Sequence, residues 1–183
     1  MRSTPLLTVA FFTMCACASA PKIDYYTLGM EPSGRAEPTV NLSVERFRST
    51  EALGRSQIMV LASPTRIEYY ATDQWAGSIG ELVQRKLAAE FGPAVEGRKT
   101  MVVSGKVVAC EQVDRSGGAD ARVTLEVVVR DAELPRYLPP LLEKSYSASR
   151  QVSSMSAASV VQELSRCVEE IAEQIAADAS SLE

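Results

Sequence analysis

The chain has 183 residues, a formal net charge of −4 and no histidine. This length is enough for one domain with a sizeable core. The mildly acidic balance without a basic block argues against binding to nucleic acid. The lack of histidine removes the commonest general base, the usual serine and cysteine triads and most zinc sites. We therefore expect no metal, no cofactor and no catalysis.

The N-terminus carries an apolar segment that is too short to span a bilayer. Arg2 supplies a positive charge, residues 6–12 are mostly apolar, and the small residue Ala16 precedes Cys17. The run Met-Cys-Ala-Cys at 14–17 resembles the lipobox, in which a signal peptide is cut before a cysteine that becomes acylated. We predict a signal peptide over 1–16, lipidation of Cys17, and a tether over 17–22.

Two other interpretations of this region stay open. Cys15 is a second candidate for lipidation, and an ordinary secretory signal would be cut near Ala18 or Ala20. In enterobacterial sorting, a serine at the second place after the modified cysteine favours the outer membrane, and Ser19 has that position. We therefore predict a protein anchored by acyl chains to the outer membrane, on its periplasmic side.

The next part of the chain has the pattern of β-strands. Aromatic and β-branched residues over 23–28 predict a first strand. Strict alternation of apolar and polar residues over 39–47 predicts a half-buried strand. Two further extended runs, 57–61 and 66–71, are separated by Ser-Pro and predict a hairpin.

At residue 73 the apolar period changes to that of a helix. The pattern predicts a helix over 73–91 with Trp75 in its first turn, capped by Thr72 or Asp73 and ended by Gly-Pro. In this pattern Lys86 lies off the apolar face and is expected in solvent.

The second half of the chain repeats strands and then a helix. Strands are predicted over 101–110 and 122–130, joined by a hairpin turn over 114–120, with a third over 144–152. Residues 131–142 form a loop with three prolines. A long amphipathic helix, capped by Ser154 or Ser156, is predicted over 156–179, with Glu169 and Glu170 on its solvated side.

This order of elements predicts an α+β domain of two layers over residues 23–183. A mostly antiparallel sheet would carry both amphipathic helices on one face. No segment after the signal approaches the roughly 18 consecutive apolar residues of a transmembrane helix.

The cysteines after Cys17 form an even pair, Cys110 and Cys167. In an oxidising compartment such a pair is a candidate disulfide. The alternative is two buried free thiols that pack as small hydrophobic residues.

Six side chains are candidates for a partner interface. Trp75 is either a core anchor or an interface residue. Tyr69 and Tyr70 are neighbours on a predicted strand and so point to opposite faces, where they either meet a partner or shield a sheet edge. The loop over 131–142 places Tyr137, Leu138 and Leu141 on the surface, so we expect either a contact with a partner or membrane, or packing over a sheet end.

Several motifs together resemble a known family. They are Tyr-Tyr-Thr-Leu at 25–28, Leu-Gly-Arg-Ser-Gln-Ile at 53–58, Arg-Ile-Glu-Tyr-Tyr at 66–70, Trp-Ala at 75–76 and Leu-Ala-Ala-Glu-Phe at 87–91. In this pattern, which covers nearly all of the chain after the signal, the protein resembles the ABC-type transport auxiliary lipoproteins of the YmbA/PqiC kind. The family's Trp-Ala-Glu-Pro-Leu reads Trp-Ala-Gly-Ser-Ile here.

The resemblance implies a non-enzymatic component of an envelope lipid transport system. It implies an ABC permease and ATPase and an MCE-domain protein as partners, and a homo-oligomer that docks the complex at the outer membrane. A different class of function stays open: a structural or assembly lipoprotein that stabilises an outer-membrane or other envelope complex.

Overall fold

A computed structural model describes residues 21–182. The predicted signal peptide and Cys17 therefore lie outside the described residues. Over the described residues 21–182, two α-helices, a short 3-10 helix (Ala52–Gly54) and one seven-stranded sheet make up the fold. The strands are β1 (Asp24–Tyr26), β2 (Asn41–Ser49), β3 (Gln57–Ser63), β4 (Arg66–Trp75), β5 (Thr100–Arg115), β6 (Gly118–Asp131) and β7 (Leu142–Gln151), and the helices are α1 (Ile79–Phe91) and α2 (Ala157–Ser180).

The sheet is mixed, with the order β1-β4-β3-β5-β6-β7 and with β2 paired to β5. The long strand β5 shares one edge between two parallel partners, β2 along its first half and β3 near its end. Its other edge pairs with β6 in an antiparallel hairpin, and β7 continues the antiparallel part. The α+β class is confirmed. Besides the predicted antiparallel pairings, the sheet contains parallel pairings of β1 with β4, β2 with β5 and β3 with β5. Parallel pairing is possible here because a long connection carries the chain back between the two strands of each pair.

Both helices cover the same face of the sheet and contact each other. Their apolar stripes meet a face of β5 and β6 rich in valine, and the fully buried side chains there include Val103, Val107, Val123, Val127 and Val129. Removing this apolar surface from water is the main stabilising contribution to the fold. Since these elements form one continuous core, residues 21–182 meet the requirement for a segment that folds on its own.

The start of the first helix was wrongly predicted. Extended structure continues to Trp75, the last residue of β4, whose amide donates to the Ser56 carbonyl at 2.7 Å. The helix begins at Ile79, and its N-cap is Ser78, whose side chain accepts a hydrogen bond from the Glu81 amide. Main-chain pairing of β4 with β1 and β3 outweighs the helical spacing of the apolar side chains here.

The end of α1 and both ends of α2 agree with the sequence within one residue, whereas β5 runs to Arg115 and β6 begins at Gly118, inside the turn predicted over 114–120. Gly92 ends α1 with a φ of 71°, and the β5–β6 hairpin turns at Gly117 with a φ of 89°; both values lie in the region that glycine adopts without strain. Ser156 caps α2 by accepting from the Ser159 amide, as one of the two predicted caps.

The segment between β1 and β2 lies along α2 and is held at three points. The Gly29 amide donates to Ser165 Oγ at 3.0 Å, and the Thr39 amide donates to Ser180 Oγ at 3.0 Å. Between them, Arg35 forms an ion pair of 2.9 Å with Glu173. We call this segment, residues 27–40, the N-terminal arm.

Candidate functional site

The main chain of the loop between β6 and β7, residues 132–141, is hydrogen-bonded to the Arg130 side chain, to β6 and within the loop itself. Arg130 Nη1 donates to the Leu138 carbonyl at 2.6 Å and to the Arg136 carbonyl at 3.3 Å. The Leu138 amide donates to the Pro135 carbonyl at 3.1 Å, and the Leu141 amide to the Val129 carbonyl at 2.9 Å. We call this segment the apolar loop.

The apolar loop nevertheless exposes large apolar groups. Tyr137 is 86% exposed, Leu134 50%, Leu138 38% and Leu141 37%. Arg136 also forms a solvent-exposed ion pair with Glu45 of β2. Large aromatic and aliphatic side chains that lie exposed on a hydrogen-bonded loop are typical of residues that anchor an interface.

The tyrosines on β4 have their hydroxyl groups already engaged. Tyr69 donates to the Ala52 carbonyl at 2.9 Å, and the Arg55 guanidinium lies 4.7 Å from the centre of its ring. Tyr70 donates to Gln112 Oε1 at 2.5 Å, and burial, together with nearby negative charge, raises its pKa. Both rings are half-buried. Their engaged hydroxyls favour the edge-shielding alternative.

Trp75 is 4% exposed and belongs to the hydrophobic core. Of the two interpretations that the sequence offers for Trp75, the structure therefore supports the core anchor. The indole cannot touch a partner without unfolding the end of β4, so we do not retain it in the candidate interface.

A buried ionic cluster joins both helices to the N-terminal arm. Lys86 Nζ lies 2.7 Å from Glu90 Oε1, 2.8 Å from Glu169 Oε1 and 2.8 Å from the Glu31 carbonyl. Glu90 also accepts from the Ser33 amide at 3.0 Å and from Ser33 Oγ at 2.6 Å. We call Lys86, Glu90, Glu169 and Ser33 the lysine cluster.

The sequence prediction for two of these residues was wrong. Lys86 is fully buried and Glu169 retains only a fifth of its side-chain exposure, because each supplies a hydrogen-bonding partner that makes burial of the other tolerable. Burial alone would raise the pKa of Glu90, but hydrogen bonds from Lys86 and Ser33 and the lysine charge outweigh it, so the pKa is lowered. The spacing of Lys86 and Glu90, four residues apart, was the only signal in the sequence.

Cys110 and Cys167 are both buried, and both are free thiols. Cys167 Sγ lies 3.6 Å from the Ala121 carbonyl oxygen, to which it donates. Burial raises the pKa of Cys167 to about 12 and raises that of Cys110 as well. In the structure the two cysteines are therefore packed as buried free thiols, which is the second of the two alternatives. The disulfide between Cys110 and Cys167 remains a prediction from the sequence, and the alkylation experiment in the Discussion tests it.

Neither a metal centre nor a membrane span emerges from the part of the chain that the structure describes. Over residues 21–182, no three acidic, cysteine or histidine side chains are placed to hold a metal ion together. Within the same range, neither helix combines the length and apolar composition needed to cross a bilayer.

Solved structures share this architecture. Protein XCC0632 from Xanthomonas campestris superposes with a TM-score of 0.69 at 14% identity, over 88% of this chain and 96% of that one. A second solved structure, of an uncharacterised protein, gives a TM-score of 0.67 at 12% identity, over 86% of this chain and 99% of that one. Among functionally curated proteins, none matches this chain.

The fold is thus that of a two-layer α+β domain. Residues 26–176 match the family model described as the ABC-type transport auxiliary lipoprotein component. This match spans most of the chain, so the protein belongs to that family. The sequence-based family assignment is confirmed.

Proposed function

We propose that this protein is the outer-membrane lipoprotein of an ABC/MCE-type envelope lipid transport system, and that it docks the transport complex without catalysing a reaction. Membership in a transport auxiliary family supports the general role. The lipobox-like run ending at Cys17 supports attachment to a membrane by acyl chains. Self-association as a homo-oligomer belongs to the same proposal.

The apolar loop is the observation that carries the docking role. Four of its large side chains are exposed, while Arg130 donates to its main chain and the Arg136 side chain pairs with Glu45 of β2. Tyrosine is enriched at protein interfaces, where its ring is buried and its hydroxyl can still be hydrogen-bonded. We propose that the MCE-domain protein covers Tyr137 and Leu138.

Crosslinking in cells, followed by purification of this protein and mass spectrometry, tests the proposal. We expect recovery of an MCE-domain protein together with the permease and ATPase. The double variant Tyr137→Ser with Leu138→Ser should lose this recovery, because it removes the exposed anchors and no core contact. Met155→Ser is the matched control, since Met155 is 60% exposed and lies outside the apolar loop.

Two results would contradict the docking role. Unchanged recovery in the double variant would show that the apolar loop does not contact the MCE-domain protein. Recovery of an outer-membrane barrel or other envelope complex without any MCE-domain protein would favour the structural or assembly class instead.

A further inference from the structure

A second group of exposed apolar side chains lies where β1 and β4 form an edge of the sheet. Tyr25 of β1 is 65% exposed, Ile67 of β4 is 46% exposed, and Ile23, just before β1, is 43% exposed. We call these three residues the edge patch. A group of large apolar side chains in water usually marks a surface that contacts something else.

The β1 side of the edge patch points away from the helices. The side chain of Tyr26 packs against the core, and successive residues of a strand point to opposite faces. Tyr25 therefore lies on the open face of the sheet. Ile23 has the same place in this alternation, two residues before Tyr25.

The β4 side of the edge patch lies on the same open face. Residues paired directly across strands point to one face, and the row that contains Ile67 crosses the sheet through Leu61, Val113 and Asp120. Asp120 lies between Ala119 and Ala121, which are both buried in the core. Asp120 and the rest of its row, including Ile67, therefore point away from the core.

The edge patch lies close in the chain to the predicted lipid anchor. The chain from Cys17 to Ile23 reaches at most about 21 Å, even when fully extended. Because β1 is parallel to β4, with Asp24 opposite Asp73, the chain before Asp24 enters from the side of β4 that carries Ile67. A membrane that holds acyl chains on Cys17 is therefore within reach of all three side chains.

The apolar loop lies far from the edge patch. Ile67 is level with Val113 of β5, whereas the loop follows Asp131, which is level with Met101 of β5. These two positions on β5 are separated by roughly 40 Å at about 3.3 Å per residue. In the order of the sheet, β4, β3 and β5 also lie between β1 and β6. A membrane at the edge patch therefore leaves the apolar loop free for a protein partner.

The charges around the edge patch are already paired. Lys22 lies 2.6 Å from Asp24, and Arg66 lies 3.0 Å from Glu68. The patch therefore offers apolar groups and a tyrosine without an uncompensated basic cluster. Tyrosine is enriched at membrane–water interfaces, where its ring lies at the level of the head groups. This composition suits shallow apolar insertion more than attraction to anionic lipid.

We propose that the edge patch contacts the head-group region of the membrane that anchors the protein, and that the domain thereby directs its apolar loop away from this membrane. The inference rests on the acyl anchor at Cys17 in the proposed function. It adds the surface that touches the lipid and the orientation of the domain.

Fluorescence quenching by lipids with a nitroxide on the acyl chain tests this orientation. The full chain, acylated at Cys17 and labelled with bimane at Thr65→Cys, is reconstituted in phosphatidylcholine vesicles that contain the nitroxide lipid. Thr65 is exposed in the turn between β3 and β4, and its labelling leaves the edge patch intact. We expect this label to lose emission to the nitroxide lipid, and a label at Tyr137→Cys to lose emission only to aqueous iodide. Protein without an added cysteine measures the background.

Two double variants show whether the edge patch causes the contact. Tyr25→Ser with Ile67→Ser should abolish lipid quenching of the label at Thr65→Cys, because the inserted groups are gone. Leu134→Ser with Leu138→Ser removes two exposed apolar groups at the other end of the domain and should leave this quenching unchanged. Phosphatidylglycerol in the vesicles should not increase it. Thermal unfolding verifies that each variant is folded.

Four results would overturn the inference in protein that floats with the vesicles. They are the absence of lipid quenching at Thr65→Cys, its persistence when the edge patch is changed to serine, equal lipid quenching at Tyr137→Cys, and quenching only when phosphatidylglycerol is present. Acylated protein that does not float would overturn the anchor and this inference together. Recovery of the MCE-domain protein tests docking separately, so failure of the lipid contact and failure of docking are distinguishable.

Discussion

Lys86 Nζ lies 2.7 Å from Glu90 Oε1, and both side chains are completely removed from solvent. A buried ion pair is costly to form, because both ions lose their hydration, and costly to break, because the remaining ion has no partner. Here the pair joins α1 to α2 through Glu169 and to the N-terminal arm through Glu31 and Ser33. The pair therefore couples the path of the chain after β1 to the packing of the helices.

We expect Lys86→Met to lower the free energy of unfolding by about 3–5 kcal/mol, because it leaves the Glu90 carboxylate buried without a cation. Urea unfolding followed by circular dichroism measures the change. Arg85→Met, at the neighbouring exposed position, is the control and should change stability by less than about 0.5 kcal/mol. Equal effects of the two substitutions would mean that the lysine cluster adds nothing specific.

The lowered pKa of Glu90 predicts how stability depends on pH. The unfolded chain takes up the proton near the ordinary value of 4.5, and the folded protein does so only at lower pH. The contribution of Glu90 is therefore complete above pH 4.5 and is lost as the pH falls through the folded pKa. Unfolding curves from neutral pH to below 4.5 should decline less steeply for Glu90→Gln than for the wild type. A steeper decline for the variant would contradict the direction of the shift.

Two glycines permit close approach of main chains. A Cβ atom at Gly80 would overlap the Phe47 carbonyl oxygen, and one at Gly105 would overlap the Glu126 carbonyl oxygen. We expect Gly80→Ala and Gly105→Ala each to lower the unfolding free energy by about 1–3 kcal/mol or more, since backbone must move. Gly118→Ala, with nothing within 4 Å, is the matched control. If the three variants melt alike, the close approach at these glycines is not required.

Thiol alkylation determines the state of Cys110 and Cys167. As free buried thiols with raised pKa values, both should resist alkylation in the folded protein and react after unfolding without a reductant. Mass spectrometry of the unfolded, alkylated protein should then show both cysteines modified. A mass that gains these adducts only after reduction would establish the bridge instead.

Cys17→Ala tests the anchor that the sequence predicts. We expect the variant to leave the membrane fraction and to lose function, while the described domain, whose core begins at Leu28, keeps its unfolding midpoint. Fractionation and thermal unfolding measure the two effects. A membrane-free variant with full activity would show that the anchor determines location only.

Local sequence patterns correctly predicted the elements in which the side-chain spacing and the main-chain hydrogen bonds favour the same secondary structure. The stripe of α2 and its Ser156 cap follow from a helical period sustained over a long segment. The β5–β6 hairpin follows from alternation on both sides of a Gly-Gly turn. Trp75 was misplaced because its spacing suits a helix, while its main chain pairs with a neighbouring strand.

The sequence by itself determined the fold class, the family and the predicted anchor at Cys17, because periodicity and short motifs are properties of neighbouring residues. Only the tertiary structure decided that Lys86 is buried and that β2 and β3 share one edge of β5. Each of these depends on groups far apart in the chain, such as Lys86 and Glu169. Their meeting depends on how the helices and the N-terminal arm pack, which local patterns do not encode.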